Sequence, residues 1–190
     1  MRVGILALQG AFLEHREIME KLGCETVEVR KPGQLEGIQA IIIPGGESTT
    51  MGRILLEQGM LAPLAEMGRA GVPIYGTCAG MVLLAKEIIG SQQPRLGLMD
   101  MVVRRNAYGR QVDSFEADIE VPVLGREPLR GVFIRAPRVE TVGPGVVVLA
   151  SYDGWPVLVR EKNLLASAFH PELTTDLRLH RHFLDEVITG

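Results

Sequence analysis

Strand-like runs alternate with helical spacing from the N-terminus to about Ile89, and this alternation limits the chain to a narrow set of folds. Val3 to Leu8, Ala40 to Ile43 and Val72 to Tyr75 are short apolar runs, and Glu25 to Arg30 alternates. Between them, Ala11 to Leu22 carries apolar residues at Phe12, Ile18, Met19 and Leu22 and stops at Gly23, where a left-handed helix end is easily made. Ser48 and Thr49 are suited to cap a helix through Met51, Ile54 and Leu55, and Leu61 to Ala70 forms another. Met81 to Lys86 opens a further helix. Strands that are apolar throughout, separated by helices, belong to a parallel sheet covered on both sides.

The pattern changes after Gly90. Met99 to Arg104, Phe115 to Val121, Gly131 to Ile134, Val146 to Ala150, Val157 to Arg160 and Leu164 to Ala168 read as short strands with turns between them. They are expected to be antiparallel additions at the sheet edge, followed by a closing helix from about Asp176 to Ile188. The expected architecture is therefore a three-layer α/β domain, 1–190, with a mostly parallel central sheet flanked by helices and antiparallel strands in the C-terminal half. No repeat or low-complexity tract divides the chain.

Composition narrows the functional class. A formal net charge of -3 gives no reason to expect nucleic acid or an anionic membrane as partner. No apolar run reaches the roughly 20 residues of a membrane span. The N-terminal run lacks the features of a signal peptide, so Cys24 and Cys78 are expected to be free thiols in a cytoplasmic protein.

Gly76-Thr77-Cys78-Ala79-Gly80 joins an apolar strand to a helix. A cysteine on such a turn has the geometry of a nucleophile elbow, with sulfur replacing the usual hydroxyl. The Ala79 N–H lies in the first helical turn, where negative charge is favoured, whether on a thiolate or on the oxyanion made by its attack on a carbonyl. A small buried core residue is the plainer alternative. His170-Pro171-Glu172 follows the strand ending near Phe169. His170 has the chemistry of a general base for Cys78, with Glu172 orienting its ring, although a surface turn would look the same. Pro44-Gly45-Gly46-Glu47-Ser48 follows another strand, and the Gly46 N–H is a second candidate oxyanion donor. A phosphate loop of the Walker type needs a lysine after the glycines, and none is there.

Together these motifs resemble class I, triad-type glutamine amidotransferases of flavodoxin-like fold. Leu8-Gln9-Gly10, Pro44 to Thr50, Gly76 to Gly80, Arg105 to Gln111, Asp113 to Glu116, Phe133 to Pro137 and Phe169 to Leu173 are most similar to the glutaminase subunits of pyridoxal 5′-phosphate synthases. The resemblance spans nearly the whole chain. It implies catalytic Cys78, His170 and Glu172, an oxyanion hole from Gly46 and Ala79, and glutamine contacts from Gly46, Glu47, Ser48, Arg105, Ile134 and Arg135. It further implies L-glutamine as substrate and ammonia transfer to a separate (β/α)₈-barrel synthase subunit in a hetero-oligomer. That subunit would join the ammonia to a pentose phosphate and a triose phosphate. No cofactor and no metal are implied for this chain.

Competing expectations are the glutaminase subunit of another synthase, such as that making imidazole glycerol phosphate, a non-catalytic module on a similar fold, and an ester or peptide hydrolase. Gln9, at a strand end, is suited equally to a turn or to partner contact. His15, beside Glu14, is expected on a solvated helix face, and His180 and His182 on the last helix show no metal-ligand spacing. Cys24 is expected to pack as a small apolar group. Arg104 and Arg105 would face opposite sides of a strand, so only one of them can reach a given ligand.

Overall fold

A computed structural model describes residues 1–106 and 114–187. Of the segments named above, Ala107 to Gln111, Asp113 and the end of the closing helix at Ile188 lie outside the described residues.

The central sheet is built from β1 (Arg2–Leu6), β2 (Glu25–Val29), β3 (Ala40–Ile43), β4 (Ile74–Thr77), β10 (Val147–Tyr152), β11 (Trp155–Glu161) and β12 (Leu164–Ser167). Its order is β10-β11-β12-β4-β3-β1-β2. Every residue of β3, β4 and β12 is buried, as expected for strands covered on both faces. Helices α1 (Phe12–Lys21), α2 (Ser48–Glu57) and α3 (Leu61–Arg69) connect parallel strands, α4 (Ala79–Leu84) leads out of β4, and α5 (Arg178–His182) comes after β12. Among the described residues no helix is long and apolar enough to cross a membrane.

Five further strands are β5 (Ala85–Ile88), β6 (Met99–Arg104), β7 (Ser114–Ile119), β8 (Leu129–Ile134) and β9 (Arg138–Val142). They form a three-stranded sheet, β5-β6-β9, and a β7-β8 hairpin, not extensions of the main sheet. The expectation of antiparallel edge additions is met by β10 and β11 only, because β12 lies parallel to β4 inside the sheet. Full burial of its four residues suits that interior position. Phe115 stacks on Phe133 with centroids 4.5 Å apart, and Tyr152 of β10 lies 5.6 Å from both, which fastens the hairpin to the main sheet.

Other expectations are corrected locally. The helix opened at Met81 ends at Leu84; Ala85 is extended, and the backbone through Ile88 pairs with β6. Glu47, not Ser48 or Thr49, caps α2, its carboxylate accepting from Thr49 N at 3.2 Å and Thr50 N at 2.8 Å. The closing helix starts at Arg178 because Asp176 Oδ1 accepts from the Arg178 N–H at 2.9 Å. Its last described turn, Phe183–Val187, is a π-turn. Strand β9 was not expected, since Arg138-Val139-Glu140-Thr141-Val142 buries one side chain fully and the others in part or not at all.

Register places the site. Ser167 of β12 pairs with Thr77 of β4, and Gly76 of β4 with Ile43 of β3. The residues just beyond these three ends therefore meet at one carboxyl edge of the sheet, where open α/β folds gather their sites.

Candidate active site

Cys78 follows β4 with φ 49 and ψ -100, a conformation that costs roughly 1–3 kcal/mol for a side-chain-bearing residue. Its neighbours hold it there. The Cys78 N–H donates to Ser167 O at 2.8 Å, and Cys78 O accepts from Val82 N at 3.2 Å to begin α4. Gly80 packs so closely on β3 that a β-carbon would be driven into the Ile43 carbonyl, so the elbow needs glycine there. The thiol is buried but not sealed, at 7% exposure, and its sulfur lies 3.7 Å from Ile134 O.

The His170 main chain is fixed by an N–H bond to Val132 O at 2.8 Å, tying it to β8. Pro171 then starts a single 3₁₀ turn, Pro171–Leu173, that brings Glu172 Oε1 to 2.7 Å from His170 Nδ1. Burial opposes charge on the imidazole, but hydrogen bonds to Cys78 and Glu172 and their charges outweigh it and raise the His170 pKa to about 10. Burial likewise opposes charge on Glu172, and the adjacent histidines overcome it, so the carboxyl titrates below its ordinary range. The result is a carboxylate, an imidazolium and a sulfur in sequence, the arrangement that activates a thiolate.

A cavity of about 280 Å³ opens over the sulfur. Gly46, Glu47, Ser48, Ala79, Arg105, Ile134 and Arg135 line it together with Cys78 and His170. Every residue expected to bind or stabilise substrate is thus brought to one place, and Glu172 stands behind His170. The Glu47 side chain is committed to capping α2, and its backbone N–H donates to Gln9 Oε1 at 3.0 Å, so Gln9 braces the glycine loop. Arg104 turns away to Glu140 at 2.7 Å. Arg105 turns inward, donating to Thr49 Oγ1 and, at 3.0 Å, to Gln93 Oε1.

His15 contradicts its expectation. It is fully buried, with Nδ1 2.9 Å from His180 Nε2 and Nε2 3.4 Å from Glu172 Oε2. His180 is fully buried as well. Helical spacing carried the signal: His15 lies three residues after Phe12 and three before Ile18, on the apolar face of α1. Its charged neighbours Glu14 and Arg16 concealed this.

The model of the SNO glutamine amidotransferase family matches residues 5–189. The chain is 60% identical over 188 residues to the pyridoxal 5′-phosphate synthase subunit PdxT of Pelotomaculum thermopropionicum, covering 99% of this chain and 96% of that one. It is 63% identical over 187 residues to the subunit of the same name from Desulforudis audaxviator, covering 98% and 99%. A crystal structure described as a glutamine amidotransferase superposes with a TM-score of 0.93 at 53% identity, covering 99% of each chain.

Proposed function

This chain belongs to the SNO glutamine amidotransferase family, and from that premise we propose that it is the glutaminase subunit of a pyridoxal 5′-phosphate synthase. The observation that carries the chemistry is the His170–Glu172 pair at 2.7 Å beside the strained Cys78.

With the proton already resting on His170, the Cys78 sulfur attacks the side-chain amide carbon of glutamine. The oxyanion formed is held by the N–H groups of Gly46 and Ala79, two residues that line the cavity. His170 gives its proton to the departing nitrogen, the C–N bond breaks, and ammonia leaves a γ-glutamyl thioester. His170 then takes a proton from water, which attacks the thioester carbon; the C–S bond breaks, glutamate leaves, and the Cys78 sulfur is again beside a protonated His170. Glu172 keeps the ring oriented and supports its positive charge. Arg105, held by Thr49 and Gln93, is placed to take the substrate carboxylate, with Glu47, Ser48, Ile134 and Arg135 completing the pocket.

Ammonia released into water is mostly protonated near neutral pH and no longer a nucleophile. A covered route to a partner's site avoids that loss. Ile134 and Leu173, at the cavity, are 37% and 43% exposed, an apolar rim that a (β/α)₈ synthase subunit would cover in the hetero-oligomer. That subunit would combine ammonia with a pentose phosphate and a triose phosphate.

The test is ammonia release from glutamine with and without the synthase subunit. Stimulation by the subunit, with loss of turnover in Cys78→Ala but retained docking, is the expected result. Turnover by Cys78→Ala within tenfold of wild type would refute the mechanism.

A further inference from the structure

Behind the Cys78–His170–Glu172 row lies a buried polar chain that the reaction above does not use. His180 Nε2 meets His15 Nδ1 at 2.9 Å, and His15 Nε2 faces both Thr77 Oγ1 at 3.2 Å and Glu172 Oε2 at 3.4 Å. His15, Thr77 and His180 are fully buried, and Glu172 is 4% exposed. Among the described residues, neither His180 Nδ1 nor Glu172 Oε2 has a hydrogen-bond partner, so the 3.4 Å approach of His15 Nε2 to Oε2 is an electrostatic contact.

These contacts point to one tautomer for each ring. A buried N–H without an acceptor costs more than a bare ring nitrogen, so the His180 proton sits on Nε2 and Nδ1 is bare. His180 Nε2–H then donates to His15 Nδ1. His15 must accept there, which leaves its own proton on Nε2, pointing between Thr77 Oγ1 and Glu172 Oε2. The opposite tautomer would strand a buried His180 N–H and turn a lone pair of His15 toward a carboxylate.

We infer that His15, held by His180 and Thr77, is a positioning residue whose Nε2–H turns its positive end to the second oxygen of Glu172 and so keeps the carboxylate aligned on His170. The groups facing His15 are Glu172 and His170 beyond β12, Tyr75 and Thr77 on β4, His180 on α5 and Glu14 on its own helix. Burial, aided by His170, outweighs the pull of Glu172 and Glu14 and keeps His15 below the ordinary imidazole range, hence uncharged at neutral pH. The inference rests on the triad reading proposed above.

The test measures glutamine hydrolysis against pH for the full chain with the synthase subunit. In His15→Leu, kcat is expected to fall about tenfold or more, the scale seen when an outer partner of an oriented ligand is removed, with KM within about twofold. The alkaline limb of kcat/KM should move to lower pH, because a poorly held Glu172 no longer sustains the charge on His170. His15→Gln keeps an N–H donor and should recover most of kcat and the limb. Wild-type kcat and pH profile in His15→Leu, or equal losses in the Leu and Gln variants, would overturn the inference. If His15→Leu does not fold, the ring-nitrogen NMR shifts of the wild-type protein decide: neutral His15 protonated on Nε2 supports it, and protonation on Nδ1 overturns it. Glu172→Gln separates the two readings. A slow Glu172→Gln beside a normal His15→Leu refutes the role of His15 alone, and a fully active Glu172→Gln removes the triad itself.

Discussion

Gly45 lies so close to the ring of His170 that a β-carbon there would overlap Cε1. The glycine loop after β3 and the imidazole after β12 are thus packed backbone to ring, and the ring can shift only away from the loop. A side chain at 45 would push the general base off its line to Cys78.

Gly45→Ala is therefore expected to lower kcat about 100-fold, the scale of an ångström-sized misplacement of a reacting group, while KM changes far less. Circular dichroism and thermal unfolding should show an intact fold. Steady-state kinetics check the split, and a wild-type kcat would mean that the ring tolerates displacement.

Arg105 is predicted to act on binding and not on bond breaking. Its guanidinium is held by Thr49 and Gln93 at the cavity wall, 3.9 Å from Glu47 Oε1. Arg105→Ala should raise KM for glutamine by roughly tenfold or more, consistent with about 1.5–3 kcal/mol for a charge-assisted hydrogen bond. Arg105→Lys should lie between, since ammonium keeps the charge but loses the fork. An unchanged KM in Arg105→Ala would remove it from substrate contact.

Stability should fall on the acid side through the buried histidines. Burial lowers the His15 pKa, and burial with His15 nearby lowers that of His180 well below 6.5. Above pH 6.5 both are neutral, folded or unfolded, and their contribution is complete. Below it the unfolded chain takes up protons that the folded chain excludes, so the native state loses up to about 1.4 kcal/mol per pH unit for each group. The thermal midpoint is expected to drop between pH 6.5 and 5, and His180→Phe should flatten that decline. An equal slope in the variant would show that His180 is not a source of it.

Much of the site was legible because its groups sit at strand ends marked by local sequence. Ala40–Ile43 was read to the residue, and Gly76 to Gly80 and His170-Pro171-Glu172 declare themselves by glycine, proline and the apolar runs before them. What escaped reading was long-range. His15 and His180 are 165 residues apart, and nothing local says that one apolar helix face ends against the other. The division into three sheets was equally hidden, because a short strand of mixed polarity such as β9 carries no mark of its partner. Ala85–Ile88 was misread for the opposite reason: its residues suit a helix locally, and pairing with β6 prevails.

The pairing of Thr77 with Ser167 has one more consequence. The distance between nucleophile and base is ruled by adjacent rungs of a single ladder, with the Val132 carbonyl of β8 as a second tie on His170. Insertions, deletions or even a nick in the intervening loops would leave the reaction centre in place, provided both rungs still zip together. Evolution is accordingly free to remodel the loops of that stretch, for instance to suit a different docking partner, as long as Arg105 and the β8 end that lines the cavity and holds His170 are kept.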